Sequence, residues 1–402
     1  MRVCFVSRRY WPAVSGMSVY AENLLRELVA LGHEVVLVSQ YRDDAAGTAI
    51  YGGGPPPADR VPAGVQVVAV PSRGEEHVPA DWEGDIAELT RTVVALHAQA
   101  PFDVLHAQYG YPPGLAVLAA SRETGVPNLV SIQGGDGHWV GTCCTTHSRA
   151  MTTVLDHAGA VLIGSASFRD EVVGHHGTDP ARFTIVPGAT DTTRFCPGDR
   201  PLGALRAPPV LLFHGRVDRR KGVLDLLNAL PDGVRLVVSG IGPDLAEARA
   251  LADSRTTFLG YVDPTDAPAV YRDADVFVSP TYSEGFSNTI LEAMASGLPV
   301  VSTDSVGVTD CLTHEVNGLL HDPGDLAGLR RLLEQVLGDG ALRERLATTA
   351  LEQARRLYSW PVLTRRIDTQ YRALAGTPPD LDWTLPTDVD PTCRFRSAAH
   401  LL

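Results

Sequence analysis

Short apolar runs rich in β-branched residues alternate along this chain with longer segments whose apolar positions recur every three or four residues, the two periods of strand and amphipathic helix. Arg2 to Ser7 reads as a strand. Leu24, Leu25, Leu28 and Leu31 share one helical face within Val19 to Leu31, Gly32-His33 ends that helix, and Glu34 to Ser39 is the next strand. Further strands are expected at Val65 to Val70, Val104 to His106, Asn128 to Ile132, Ala160 to Ile163 and Phe183 to Val186. Strands alternating with helices predict an α/β fold, with a mostly parallel sheet covered on both faces.

The rhythm breaks twice. Gln40 to Gly64 carries Gly52-Gly53-Gly54-Pro55-Pro56-Pro57, too rich in Gly and Pro for regular structure, and reads as a lid or a disordered loop. Cys196 to Pro209 packs little and reads as a linker. After it the alternation restarts with strands at Val210 to His214, Arg235 to Ser239, Thr256 to Leu259, Val276 to Ser279 and Pro299 to Thr303, and a helix from Val223 to Leu230. Helices are expected at Leu326 to Leu337, Leu342 to Leu357 and Val362 to Leu374, followed by a Pro- and Asp-rich tail that reads as poorly ordered.

At 402 residues and 44% hydrophobic content the chain exceeds what one core usually organises. Two doubly wound domains are therefore expected, at 1–200 and 205–360, the first completed by 361–402. Open α/β sheets bind ligands at the carboxyl ends of their strands, so functional residues are sought there, around a cleft.

Charge removes one class of partner. A net charge of -13 argues against nucleic acid, whose phosphates need a cationic face. No run of about twenty apolar residues exists to span a membrane, and Met1 to Val6 is too short for the apolar core of a signal peptide. Six cysteines without a CxxC pair suit reduced thiols in a cytoplasm. Cys143-Cys144-x-x-His147 lacks a second ligand pair and adjacent cysteines chelate one zinc ion poorly, so no metal is expected. Asp388-Val-Asp390 resembles a metal-binding Asp-x-Asp, but without a preceding strand it reads as a solvated tail.

The most informative segment runs from Ser279 to Val300. A strand ends near Ser279, a loop carries Glu284-Gly285-Phe286, Ser287 can cap a helix, and Gly297 can end it. Amides of Gly285, Phe286, Ser287 and Asn288 would then head a helix, a ready site for anionic oxygens. Glu284 and Glu292 lie about 12 Å apart if the span is helical. That exceeds the ~5–9.5 Å of a hydrolase carboxyl pair but suits two hydroxyl-bearing ends of one long ligand, although incidental surface glutamates fit the spacing too. Upstream, His214-Gly215-Arg216-Val217-Asp218-Arg219-Arg220-Lys221-Gly222 follows a strand and opens a helix, and Lys221 is the sole lysine. Basic residues at a helix start are unfavourable unless an anion binds there.

These segments resemble retaining glycosyltransferases of family 4, which share the Glu-x7-Glu motif and the Gly-Arg...Lys-Gly stretch. The resemblance spans about Arg2 to Leu374 and implies the GT-B fold, two facing Rossmann-like doubly wound domains with a deep interdomain cleft. It implies that Glu284 holds the transferred sugar, Glu292 the ribose, and Arg216 and Lys221 the diphosphate, with Arg216, Lys221 and Glu284 carrying catalysis. Gly16, where the family has a glycine pair and this chain has Ser15-Gly16, would lie near the diphosphate. Gly215, Gly242 and Val262 would line the donor, the latter two near the nucleobase. Asp103-Val-Leu-His106-Ala-Gln108 and Gln133-Gly134-Gly135-Asp136 are similar to acceptor-side stretches, with glutamine where histidine is common. Tyr10, His106, Gln133, Asp136, His138 and Trp139 are thus the expected acceptor contacts.

The implied chemistry is transfer of a sugar from a nucleoside-diphosphate sugar with retention and no obligatory metal or cofactor. Cations offset the charge growing on the departing diphosphate while the acceptor attacks from the same face. A small polar acceptor is favoured over a lipid or polymer, because acidic side chains outnumber basic ones over residues 1–200 and no Lys/Arg-rich amphipathic helix is present. A cytoplasmic location is expected, and a homodimer is left open. Rival readings are an epimerase on the same fold, a pyridoxal-phosphate phosphorylase that would need Lys221 as its Schiff base, and a non-catalytic sugar-nucleotide-binding scaffold.

Overall fold

Apolar runs and amphipathic stretches assemble into two parallel sheets in this computed structural model, which describes residues 1–44, 48, 52–74, 80–386 and 390–397. Met1–Val186 and Thr364–Leu402 form unit 1, and Pro187–Leu363 form unit 2.

In unit 1 the strands are β1 (Arg2–Ser7), β2 (Glu34–Tyr41), β3 (Val65–Pro71), β4 (Val104–Gln108), β5 (Asn128–Ile132), β6 (Ala160–Ile163) and β7 (Phe183–Ile185), ordered 3-2-1-4-5-6-7. All are parallel, and Ser7, Gln108 and Ser131 stand abreast where β1, β4 and β5 end. The order reverses between β1 and β4, which in a doubly wound sheet is where ligands bind. Helix α1 (Gly16–Ala30) leaves β1 through the N-cap Ser15, whose hydroxyl accepts from the Ser18 amide at 3.2 Å.

Unit 2 repeats the plan with β8 (Val210–His214), β9 (Arg235–Ser239), β10 (Thr256–Gly260), β11 (Val276–Ser279), β12 (Val300–Thr303) and β13 (Leu319–His321), ordered 10-9-8-11-12-13. Its central strands β8, β11 and β12 are buried on both faces. Leu211, Phe213, Val276, Val278 and Val301 join one apolar cluster, while the alternate residues Leu212, Phe277 and Val300 join the other. β13 was not expected from the sequence.

Two expectations need correction. Cys196 to Pro209 is no loose linker: it lies within unit 2, where Arg200 and Arg206 grip the buried Asp275 carboxylate at 2.6 and 2.8 Å. Nor is the described part of the tail free. Arg122 lies over the Trp383 ring at 4.5 Å, Asp380 pairs with His157 at 2.9 Å, and Asp390 accepts from the Thr145 hydroxyl at 3.2 Å. Asp388 lies outside the described residues, as do 45–47 and 49–51 of the expected lid. The Tyr10 hydroxyl donates to the Arg60 carbonyl at 2.7 Å. No helix among the described residues is long and apolar enough to cross a membrane.

Candidate active site

The carboxyl ends of β8 and β11 flank the order reversal of unit 2, and the loops that leave them are knitted by backbone. The Gly215 amide donates to the Ser239 carbonyl and the Val217 amide to the Ile241 carbonyl, both at 2.9 Å. This approach requires glycine: a Cβ on Gly240 would lie 1.8 Å from the Gly215 carbonyl oxygen, and one on Gly242 would lie 2.2 Å from that of Val217. Gly242, expected at the nucleobase, thus has a packing reason to be glycine. Val262 is turned partly into the apolar cluster around Phe277.

The Arg219–Lys221 turn is capped by Asp218, whose carboxylate accepts from the Arg220 amide at 2.9 Å. Although burial opposes ionisation, the Arg220 hydrogen bonds and the Arg216 charge hold the Asp218 carboxyl at about 2, so it stays anionic between two arginines. Arg216 Nε lies 3.4 Å from it. Gly222 follows at φ 71°, and a Cβ there would lie 1.9 Å from the Pro280 carbonyl oxygen. The Tyr282 amide reaches back to the Arg220 carbonyl at 2.9 Å. The two loops therefore form one rigid platform.

On that platform Lys221 Nζ meets Glu284 Oε2 at 2.7 Å, with both side chains partly exposed, so two residues 63 positions apart form the ion pair at its centre. Glu284 is fixed from behind. Its amide donates to the Val306 carbonyl at 2.9 Å, and a Cβ on Gly307 would lie 2.0 Å from its carbonyl oxygen. Helix α9 in chain order (Asn288–Ala295) starts four residues later. Ser287 is its N-cap residue but makes no side-chain cap bond, so the leading amides are not satisfied by that hydroxyl. Phe286 packs on Tyr358 at 5.6 Å between ring centroids, and Asn288 Oδ1 is buried without a hydrogen-bond partner. Glu292, one residue past the middle of the helix, accepts from the Tyr271 hydroxyl at 2.7 Å. Burial raises its carboxyl to about 7, against the lowering effect of Tyr271 and the Arg194 charge.

Sequence reasoning missed Asp218, Tyr271 and the Val306-Gly307 backing loop. An Asp directly before Arg-Arg-Lys-Gly was a legible cap signal. Tyr271 meets the Glu292 carboxylate, and Gly307 the Glu284 backbone, only through the fold, and neither left a local trace.

Unit 1 is different at the equivalent strand ends. His106 is fully buried, with Nδ1 on the Tyr371 hydroxyl at 2.6 Å and Nε2 on the Ser131 hydroxyl at 2.7 Å. Burial lowers its imidazole to about 3. It is a core residue with both ring nitrogens engaged inside unit 1. Asp136 is buried too and accepts from the amides of Gly110, Gln133 and Gly134 at 2.8, 3.0 and 2.9 Å, pinning two strand-end loops together. Tyr10 is also buried, its hydroxyl spent on Arg60. Gln133 accepts from Gln108 at 3.0 Å but is partly exposed, as is Trp139. His138 pairs with Glu171 at 2.7 Å, and its Nε2 is buried without a partner. Gly16 opens α1 with nothing within 4 Å of where a Cβ would sit.

Sequence comparison matches residues 15–189 to the glycosyl transferase 4-like domain and residues 208–339 to glycosyl transferases group 1. The chain is 30% identical to D-inositol 3-phosphate glycosyltransferase 2 of Catenulispora acidiphila, over 78% of this chain and 80% of the relative. It is 26% identical to glycogen synthase of Mycobacterium tuberculosis, over 93% and 95%. Its fold matches that of Anabaena HepE, solved in complex with UDP-glucose, at a TM-score of 0.73 and 17% identity, covering 93% of this chain and all (100%) of that one. Two Rossmann-like units of parallel sheet, knitted loops at a switch point and these matches lead to one assignment: the chain belongs to the family 4 type of glycosyltransferases, with the GT-B fold.

Proposed function

We propose that unit 2 grips the diphosphate of a sugar nucleotide through Arg216, Lys221 and the amides of Gly285 to Asn288, and that the sugar passes to an acceptor hydroxyl with retention. The observation that carries this reading is the Lys221–Glu284 ion pair of 2.7 Å on a glycine-locked platform at the head of a helix. A diphosphate arriving there is a stronger partner for Lys221 than one carboxylate, which releases Glu284 to accept from sugar hydroxyls. As the bond from the anomeric carbon to the diphosphate oxygen breaks, Lys221, Arg216 and the helix amides offset the charge left on that oxygen. The acceptor oxygen bonds to the same carbon from the same face, and its proton passes to the departing phosphate. Glu292 takes the ribose, oriented by Tyr271.

HepE was solved with UDP-glucose, and the donor is assigned as a nucleoside-diphosphate sugar without a named base. The likeness to an inositol-phosphate transferase supports a small polar acceptor, with Gln133, His138 and Trp139 as the unit 1 residues left to contact it. The likeness to glycogen synthase, which covers more of the chain, supports a polymer acceptor as the second reading.

Thermal-shift measurements with UDP-, GDP-, ADP- and TDP-glucose test the donor site, since a ligand at a hundred times its Kd stabilises by about 2.7 kcal/mol. One nucleotide should raise Tm in the native protein and not in Lys221→Ala. NMR of the transfer product then reads its anomeric configuration. Absence of a shift with all four, together with no donor consumed, would remove the proposal.

A further inference from the structure

The expectation of no metal rested on a missing ligand, and the fold supplies one. Cys393, from the tail, meets Cys143, Cys144 and His147, which open and begin helix α4 in chain order (Thr145–His157). The three sulfurs and an imidazole nitrogen all lie within 4.8 Å of one another, with His147 and Cys393 buried and the cysteine pair half-buried. All six cysteines are free thiols, so no disulfide occupies these sulfurs.

We propose that Cys143, Cys144, His147 and Cys393 form a structural zinc site that staples the tail to unit 1. Tetrahedral zinc with bonds of about 2.3 Å to sulfur and about 2.0–2.1 Å to nitrogen has sulfur–sulfur edges of about 3.8 Å and sulfur–nitrogen edges of about 3.5 Å. The observed separations are 3.7 Å for Cys143–Cys144, 4.0 Å for Cys143–Cys393 and 3.6 Å for Cys393–His147 Nδ1. Only Cys143–His147, at 2.8 Å, is short, and it would open as the ion entered. Three thiols and one imidazole form a soft, closed set that matches zinc at a structural centre rather than a catalytic one, which keeps a ligand position open.

The surroundings fit the charge. Zinc with three thiolates and a neutral imidazole carries one net negative charge, and Arg396 and Arg8 are the cations nearest His147. The imidazole is held by rings, Tyr111 at 4.5 Å and Phe395 at 6.1 Å between centroids. The tail already touches this region: the Asp390 amide donates to the Thr146 hydroxyl at 2.6 Å, and the Arg396 guanidinium donates to the Ala80 carbonyl at 2.9 Å. Zinc would add a stronger contact than these hydrogen bonds, releasing the thiol protons on binding. The centre also lies three residues beyond the Asp136–Val140 turn, so it would steady the loop that presents His138 and Trp139. The inference does not depend on the transfer reaction.

Titration of the reduced, full-length protein with zinc alone, followed by metal analysis after gel filtration, should give about one zinc per chain. Cobalt in place of zinc should give the intense visible bands of a tetrahedral thiolate site, a readout that needs no variant. Cys393→Ser should lower zinc affinity more than about a hundredfold, since even supporting residues of such sites cost 10–100-fold. Cys196→Ser, a half-buried thiol in unit 2, should bind as the native protein does. Hydrogen exchange in Asp390 to Ser397 should quicken when a chelator strips the metal. No zinc retained, a pale octahedral cobalt spectrum, or unchanged affinity in a folded Cys393→Ser would each overturn the assignment.

Discussion

The two units share a parallel, doubly wound plan yet treat the polar residues at their strand ends in opposite ways. In unit 2 the backbone does the joining. Glycines at 222, 240, 242 and 307 let loops touch carbonyl to Cα, and the side chains of Arg216, Lys221 and Glu284 are left partly exposed. In unit 1 the side chains do the joining. His106, Gln108 and Asp136 are fully buried and spend their hydrogen bonds on Tyr371, Ser131, Ser7 and neighbouring amides. A polar residue at a switch point can serve a ligand only where something else holds the loops.

The comparison breaks most visibly if Lys221→Ala or Glu284→Ala retains transfer. Each should lower kcat by about a hundredfold to a thousandfold, the cost of removing one charge-stabilising group, while Tm moves little because both side chains are partly exposed. Steady-state kinetics beside a melting curve separates the two effects. Full activity in either would mean that this ion pair is structural, as the polar residues of unit 1 are.

Next in size are the glycines. Gly240→Ala or Gly222→Ala places a methyl within 2 Å of a carbonyl oxygen, at 1.8 and 1.9 Å, and in a left-handed conformation. Each should destabilise unit 2 by about 3 kcal/mol or more, read by chemical denaturation. Gly16→Ala has open space and a helical position, and should be neutral or stabilising by up to about 1 kcal/mol. A tolerated Gly240→Ala would show that the loops are not locked by backbone.

For unit 1 the expected loss is in stability alone. His106→Ala leaves the buried Tyr371 and Ser131 hydroxyls without their partner and opens a cavity, a cost of about 2–4 kcal/mol. Turnover per folded molecule, measured well below Tm, should stay within about twofold of the native value, the margin of context dependence in such comparisons. A large fall in kcat with unchanged Tm would restore His106 to the acceptor site.

Legibility followed the same division. Strands were readable because short apolar runs rich in β-branched residues need no tertiary knowledge, and among the described strands only Leu319–His321 escaped. Lys221 stood out as the sole lysine, and Glu284 by its place just before an expected helix. The burial of His106 and Asp136 was not legible, because a polar residue at a strand end reads alike whether its partners are solvent or Tyr371, which lies 265 positions from His106. Cys393 was invisible as a companion of Cys143 for the same reason, with 250 residues between them.

Glu292 sharpens the comparison by the smallest effect, because it is the one polar group of the unit 2 helix that is handled as unit 1 handles its own. Its carboxyl is raised to about 7 from an ordinary value of 4.5, chiefly by burial, with Tyr271 and Arg194 opposing. The folded state thus holds a proton that the unfolded chain gives up between pH 4.5 and 7. Its contribution to stability is complete below about 4.5, falls as pH rises toward 7, and is gone above that. Glu292→Gln should flatten this slope across pH 4.5 to 7 in denaturation curves while leaving the Tyr271 hydroxyl an amide oxygen to bond. Donor affinity should move the other way in the native protein, rising through pH 7 as the carboxylate becomes able to accept from two ribose hydroxyls. If stability in that window is flat in the native protein, or equally sloped in the variant, Glu292 is ionised throughout and the desolvation that sets it apart from Glu284 is absent.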